Sequence, residues 1–130
     1  MIHLTIVTPE RKLVDRQVDE VVLPGSEGYL GVLPGHAPLL SALKVSDITY
    51  RQGTETHHVV VAWGFVEVLP ERVSVLADIA ERAEDIDIDR AQKARERAEQ
   101  RLRGGTDVDW DRARVALDKA MARLQVASGR

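Results

Sequence analysis

Over the first seventy or so positions, apolar residues come in short runs broken by turn formers. Ile2, Leu4 and Ile6 are separated by His3 and Thr5, which predicts a strand with one buried face. Thr8 and Pro9 end it, and Leu13 and Val14 bring the chain back. Residues 17–23 read as one further extended run. Ile48 and Tyr50 alternate before a turn at Gln52-Gly53. Val59, Val60, Val61 and Ala62 are apolar on both faces, the pattern of a central strand between two sheets. Gly64 permits a bend or bulge, Pro70-Glu71 a turn, and Val73, Val75 and Ala77 close the set. Short valine-rich strands at this spacing predict an antiparallel β-sandwich.

From Ile88 the period becomes helical. Ala91, Ala94, Ala98 and Leu102 form one stripe, preceded by Asp85, Asp87 and Asp89, with Asp87 suited to the N-cap. Gly104-Gly105 stops this helix. A second follows Asp107 and Asp109 and presents Trp110, Ala113, Leu117, Ala120, Leu124 and Ala127 at alternating spacings of three and four. So short a linker predicts an antiparallel hairpin. The fold class is therefore mainly β plus α, a sandwich over 1–84 and a two-helix hairpin over 85–130. The first helix offers mostly alanine to the seam, and an alanine methyl contributes only ~0.8 kcal/mol against ~1.5–3 for a leucine side chain. Such a hairpin is either a plain appendage or an element able to leave the sandwich.

Charge sharpens the division. Residues 1–84 carry seven basic and twelve acidic side chains, residues 85–130 eleven and nine. A net charge of −3 argues against general nucleic-acid binding. No cysteine is present, which removes disulfide and thiolate chemistry and fits a cytosolic setting. The longest nearly apolar run, residues 59–66, falls well short of the ~20 residues of a membrane span. A soluble chain without direct membrane insertion is expected.

The stretch 23–39, LPGSEGYLGVLPGHAPL, gathers Gly25, Gly28, Gly31 and Gly35 with Pro24, Pro34 and Pro38. It predicts tight turns around a short strand at 29–33, forming a docking face. Its glycine spacing matches neither a dinucleotide fingerprint nor a phosphate loop. His57 and His58 are adjacent in a strand and point to opposite faces, a poor metal pair. No nucleophile–base pair can be assembled, so an enzyme is disfavoured and no cofactor is required. Arg90, Lys93 and Arg97 fall along one helical stripe beside the acidic cluster at Asp87. They suit either an anionic ligand or a solvated face laced by Asp89–Lys93 and Glu99–Arg103 pairs.

The runs LPGSEGYLGVLPGHAPLL and AWGFVEVLPERVSVLADIAERAEDIDIDRA, with the terminal DRARVALDKAMARLQVA, closely resemble the epsilon subunit of bacterial F-type ATP synthase. The resemblance spans essentially the whole chain. It implies a non-catalytic subunit of the central stalk of a proton-translocating enzyme, peripheral on the cytoplasmic face of the bacterial plasma membrane. Its sandwich would bind the gamma subunit and the c-subunit ring, with Glu27, Tyr29 and His36 as docking residues. Its hairpin would extend to the catalytic beta subunit and inhibit ATP hydrolysis. Tyr29 stands where the family usually has glutamate, and Lys44-Val45-Ser46 lacks a glycine often found there.

Some members bind ATP through an Ile/Leu-Asp-x-x-Arg-Ala motif, which Ile86, Asp87, Arg90 and Ala91 fit. Glu81, Arg97 and Arg123 stand where those members place further ATP contacts. By this likeness ATP is a regulatory ligand that stabilises the folded hairpin. A free-standing nucleotide-sensing adaptor of the same fold is the alternative.

Overall fold

The structure, a computed structural model, describes residues 1–104 and 109–128, with the Ser128 side chain left aside. Eight strands come first: β1 (Ile2–Val7), β2 (Lys12–Val18), β3 (Glu20–Gly25), β4 (Gly28–Val32), β5 (Leu39–Leu43), β6 (Ser46–Gln52), β7 (Glu55–Leu69) and β8 (Arg72–Arg82). A 3-10 turn, Ala83–Asp85, then leads to α1 (Ile88–Arg103) and α2 (Trp110–Ser128). The strands share one hydrogen-bonded network in the order β2-β1-β8-β7-β5-β3-β4, with β6 bonded to both β3 and β7. It folds over a core in which Ile2, Leu4, Ile6, Leu23, Ile48, Val59, Val61 and Val66 are fully buried. The alternation in β1 thus marks its inward face.

Several sequence expectations need correction. The sandwich is mostly but not wholly antiparallel: β1 runs parallel to β8, pairing His3 with Arg72 through Val7 with Leu76. The extended run at 17–23 is broken at Asp19, whose carboxylate accepts the Gly53 N–H at 2.7 Å and ties the β2–β3 corner to the β6–β7 turn. Strand β5 has only Leu43 buried among its five residues and gave no alternating signal. At Val60 the second face of residues 59–62 is covered not by a sheet but by the hairpin, where Val60 joins Ala83, Ile86, Val126 and Ala127 in a separate apolar cluster.

The bend expected at Gly64 is a corner of the sandwich. Ala62 pairs with Ile79 and Gly64 with Ala77, so Trp63 is skipped without a change of register. Inward positions switch from Val59 and Val61 to Val66 and Val68 across this point. On the other edge of β7, β5 ends at Leu43 opposite Gly64 and β6 begins at Ser46 opposite Val61. The approach is so close that a Cβ on Gly64 would stand 2.1 Å from the Leu76 carbonyl oxygen. Only glycine fits.

Asp87 caps α1, its Oδ1 accepting the Arg90 N–H at 3.1 Å. Gly104 caps the other end, while Gly105 and Asp107 lie outside the described residues. Asp109 Oδ1 accepts the Arg112 N–H at the start of α2. The buried seam positions are Ala91 and Ala98 of α1 and Ala113 and Ala120 of α2; Ala127, on the same stripe, packs in the cluster with Val60, while Leu102, Leu117 and Leu124 are only half-buried and Trp110 is exposed. Helix α2 also carries a second apolar stripe, Ala122 and Val126, that rests on the sandwich. Among the described residues no helix is long and apolar enough to cross a membrane.

Candidate functional site

A cleft of about 260 Å³ opens where the end of β8 meets both helices. Glu81, Asp85, Asp87, Arg90, Ala91, Ala94, Arg97 and Arg123 line it. Arg123 sits near the end of α2 yet faces the beginning of α1, so the helices run antiparallel. Its guanidinium forms a fork on Glu81, donating from Nε to Oε2 at 3.1 Å and from Nη2 to Oε1 at 2.9 Å. This bond joins the second helix directly to the last strand. Asp85 at the rim accepts from Arg82 Nε at 3.0 Å, and that bond is the first cause holding the Arg82 pKa above its ordinary value.

Six of the seven residues proposed for a nucleotide thus line one cavity; the seventh, Ile86, packs beneath it in the apolar cluster with Val60 and Val126. Lys93 is exposed and does not line the cleft, although its spacing put it on the same stripe. Of the two pairs expected to lace this face, Asp89–Lys93 is not formed, whereas Glu99–Arg103 is, at 3.8 Å, and Glu99 also takes Arg95 at 3.0 Å. Among the described residues the side chains of Arg90 and Arg97 are in no ion pair. Two unpaired guanidiniums and one shared with a carboxylate therefore border the same cavity. That is an anion-binding arrangement with acidic groups at one side.

The residues expected to dock do not share one place. Glu27 is exposed in the β3–β4 turn, and Tyr29 is beside it on β4, its hydroxyl within 2.6 Å of Ser46 Oγ and 3.3 Å of Asp47 Oδ1. His36 lies past the other end of β4, where the neighbouring Gly35 N–H donates to the Pro70 carbonyl at 2.7 Å. A five-residue strand of ~17 Å separates the two groups. The Tyr29 end leans toward the hairpin: Asp47 Oδ2 stands 3.5 Å from His58 Nδ1, and both line a small hollow with Gln125 and Val126 of α2.

Sequence reasoning missed an apolar row on the outer face of the sheet. Ala42, Phe65 and Leu76 are cross-strand neighbours on β5, β7 and β8, and Phe65 and Leu76 are 59% and 62% exposed. Leu40, 70% exposed, extends it. The signal was available, since the chain's single phenylalanine falls on the polar side of the Val66–Val68 alternation. Among the described residues no group of three or more His, Asp or Glu could hold a metal ion.

Comparisons with known proteins cover both parts of the chain. The family model described as ATP synthase, Delta/Epsilon chain, beta-sandwich domain matches residues 1–83, and that for the long alpha-helix domain matches residues 84–128. An ATP synthase epsilon chain of Nitratidesulfovibrio vulgaris is 57% identical over 101 residues, covering 78% of this chain and 75% of its own. ATP synthase epsilon chain 2 of Syntrophotalea carbinolica is 45% identical over 128 residues, covering 97% and 93%. In a solved Euglena gracilis mitochondrial ATP synthase (OSCP/F1/c-ring), one chain superposes with a TM-score of 0.84 at 23% identity, over 97% of this chain and 80% of that one, a likeness of fold. The chain belongs to the ATP synthase delta/epsilon family, as an epsilon subunit of the F-type central stalk.

Proposed function

We propose that this subunit is a non-catalytic coupling part whose hairpin acts as an ATP-responsive brake. The sandwich, residues 1–84, docks on the gamma subunit and the c-subunit ring of a proton-translocating enzyme at the cytoplasmic face of the bacterial plasma membrane. The exposed row of Phe65, Leu76 and Leu40 supports an apolar docking surface. The turns bearing Glu27 and His36 offer polar ones. The hairpin, residues 85–130, folds on the sandwich when ATP is bound. When released it reaches the catalytic beta subunit and inhibits hydrolysis.

The observation that carries this reading is the convergence of Arg90, Arg97 and Arg123 on one cleft from two helices. An anion held between Arg97 and Arg123 is held only while the hairpin is closed, so ATP binds the closed state preferentially. At a concentration ten times its dissociation constant, such a ligand stabilises that state by about 1.4 kcal/mol. Against an alanine seam that is enough to raise the closed-to-open ratio about tenfold. The cleft's carboxylates support a binding rather than a catalytic role: Glu81 is committed to Arg123 and Asp87 to the α1 N-terminus. The cleft volume lies below the ~300–1,000 Å³ of most small-molecule pockets, so part of the nucleotide would stay in solvent.

Calorimetric titration of the full chain with ATP tests the proposal. Saturable heat in the millimolar range or tighter is expected, weakened at least tenfold in Arg97→Ala. Absence of saturable heat with the wild-type chain removes the ligand.

A further inference from the structure

Trp63 is the only residue other than glycine, among those described, with a positive φ, at 51°. An indole in the left-handed region is unfavourable, because Cβ crowds the following carbonyl, by ~1–2 kcal/mol. Its place at the sandwich corner explains why the backbone must turn there. It does not explain a tryptophan, since glycine would occupy the position without strain. What the indole adds is a ring face toward the hairpin: Lys119 Nζ of α2 lies 3.9 Å from its centroid.

Lys119 and Arg123 are one turn apart on α2 and reach different strands, Lys119 to Trp63 on β7 and Arg123 to Glu81 on β8. The second helix is therefore held at two polar points, with Val126 and Ala127 packing alongside. Burial, then the positive charge of Arg123, holds the Lys119 pKa below 10.5; the ring face acts in the opposite sense, offsetting the penalty for bringing this ammonium to the interface.

We infer that Lys119 on the strained Trp63 is a latch that sets how much of the hairpin stays closed without any nucleotide. The inference rests on the proposed opening of the hairpin. The latch adds to closure through a contact separate from the anion cleft, so it tunes the starting population on which ATP acts. The corner sets the backbone at Trp63, and the ring carried there supplies the contact with Lys119.

Hydrogen exchange on the full chain, followed at α2 and at the β1 and β8 amides together, tests it. Lys119→Met keeps the aliphatic stem and removes the charge, and should speed α2 exchange by about 2- to 30-fold with the strand amides unchanged. Lys119→Arg should restore protection. Trp63→Gly should separate strain from latch: the strands exchange more slowly while α2 exchanges faster. In Trp63→Leu, Lys119→Met should have no further effect on α2, since the pair is already broken. If the two substitutions add independently, or Trp63→Gly protects α2, the latch is overturned although the hairpin still opens. If α2 exchanges only together with the strands, the hinged reading itself fails and the latch with it.

Discussion

The two halves of this subunit are held together in different ways. The sandwich buries Ile, Leu and Val side chains completely, and eight strands share their hydrogen bonds. The hairpin buries four alanines at its seam, keeps its leucines half-exposed and finds its remaining apolar contact, at Val126 and Ala127, with Val60 and Ile86. One half is over-determined and the other adjustable. Stability is thereby concentrated in one stretch of a short chain, and on the proposed reading a ligand worth little more than 1 kcal/mol can act on the other stretch without disturbing it.

The largest effect should come from the sandwich. Leu4→Ala, at a fully buried position, should lower the stability of the whole subunit by ~2–5 kcal/mol in urea unfolding. The hairpin's own opening, measured relative to the strands, should not change. Gly64→Ala should cost ~1–3 kcal/mol or more, since its Cβ would meet backbone atoms of Leu76 and Ala77 that cannot swing aside. Asp87→Ala should reverse the pattern. Loss of the cap should weaken α1 by ~1 kcal/mol, visible as faster amide exchange in its first turn, with the urea midpoint of the strands preserved. If Asp87→Ala lowers that midpoint as much as Leu4→Ala does, the two halves are not separable.

A smaller effect separates them by pH. Tyr50 is a core residue of β6, and burial, ahead of nearby charges, raises its pKa above 10.0. A phenol whose folded pKa exceeds its unfolded one stabilises the fold fully below pH 10.0, and that contribution is lost as pH rises through the folded value. Wild-type sandwich stability should therefore decline above pH 10.0 while Tyr50→Phe shows a flatter profile. Protection in α2, measured relative to the strands, should follow the same course in both proteins.

Much of this contrast was legible in the residues. Ile2, Leu4 and Ile6 announced their strand because one buried face imposes alternation, and Asp87 announced a helix start because few residues cap as well. The cleft was legible through Asp87, Arg90 and Arg97, which one helix brings together by its own period. What escaped involves partners that no local period encodes. The pairing of β1 with β8 joins residues some seventy positions apart, and alternation in either strand says nothing of its neighbour. Val126 was hidden because α2 has two apolar stripes, and the more regular one drew attention. Glu27, Tyr29 and His36 are close in sequence, but an extended strand carries neighbours apart as readily as turns bring them together. Trp63 gave no sign of its backbone, since the corner is set by β5, β6 and β8 jointly.

Strand β8 pairs with β7 from Arg72 to Arg82 and with β1 over residues 72–76, and it runs directly into the 3-10 turn from which the hairpin springs. A pull on the hairpin would arrive lengthwise along this strand, first at the stretch beyond residue 76 that only β7 flanks. Such a pull loads the β7 ladder in shear before it reaches the doubly flanked residues 72–76, rather than unzipping one rung after another. If the hairpin opens as proposed, the strand that carries it is thus loaded in shear and not peeled from a sheet edge.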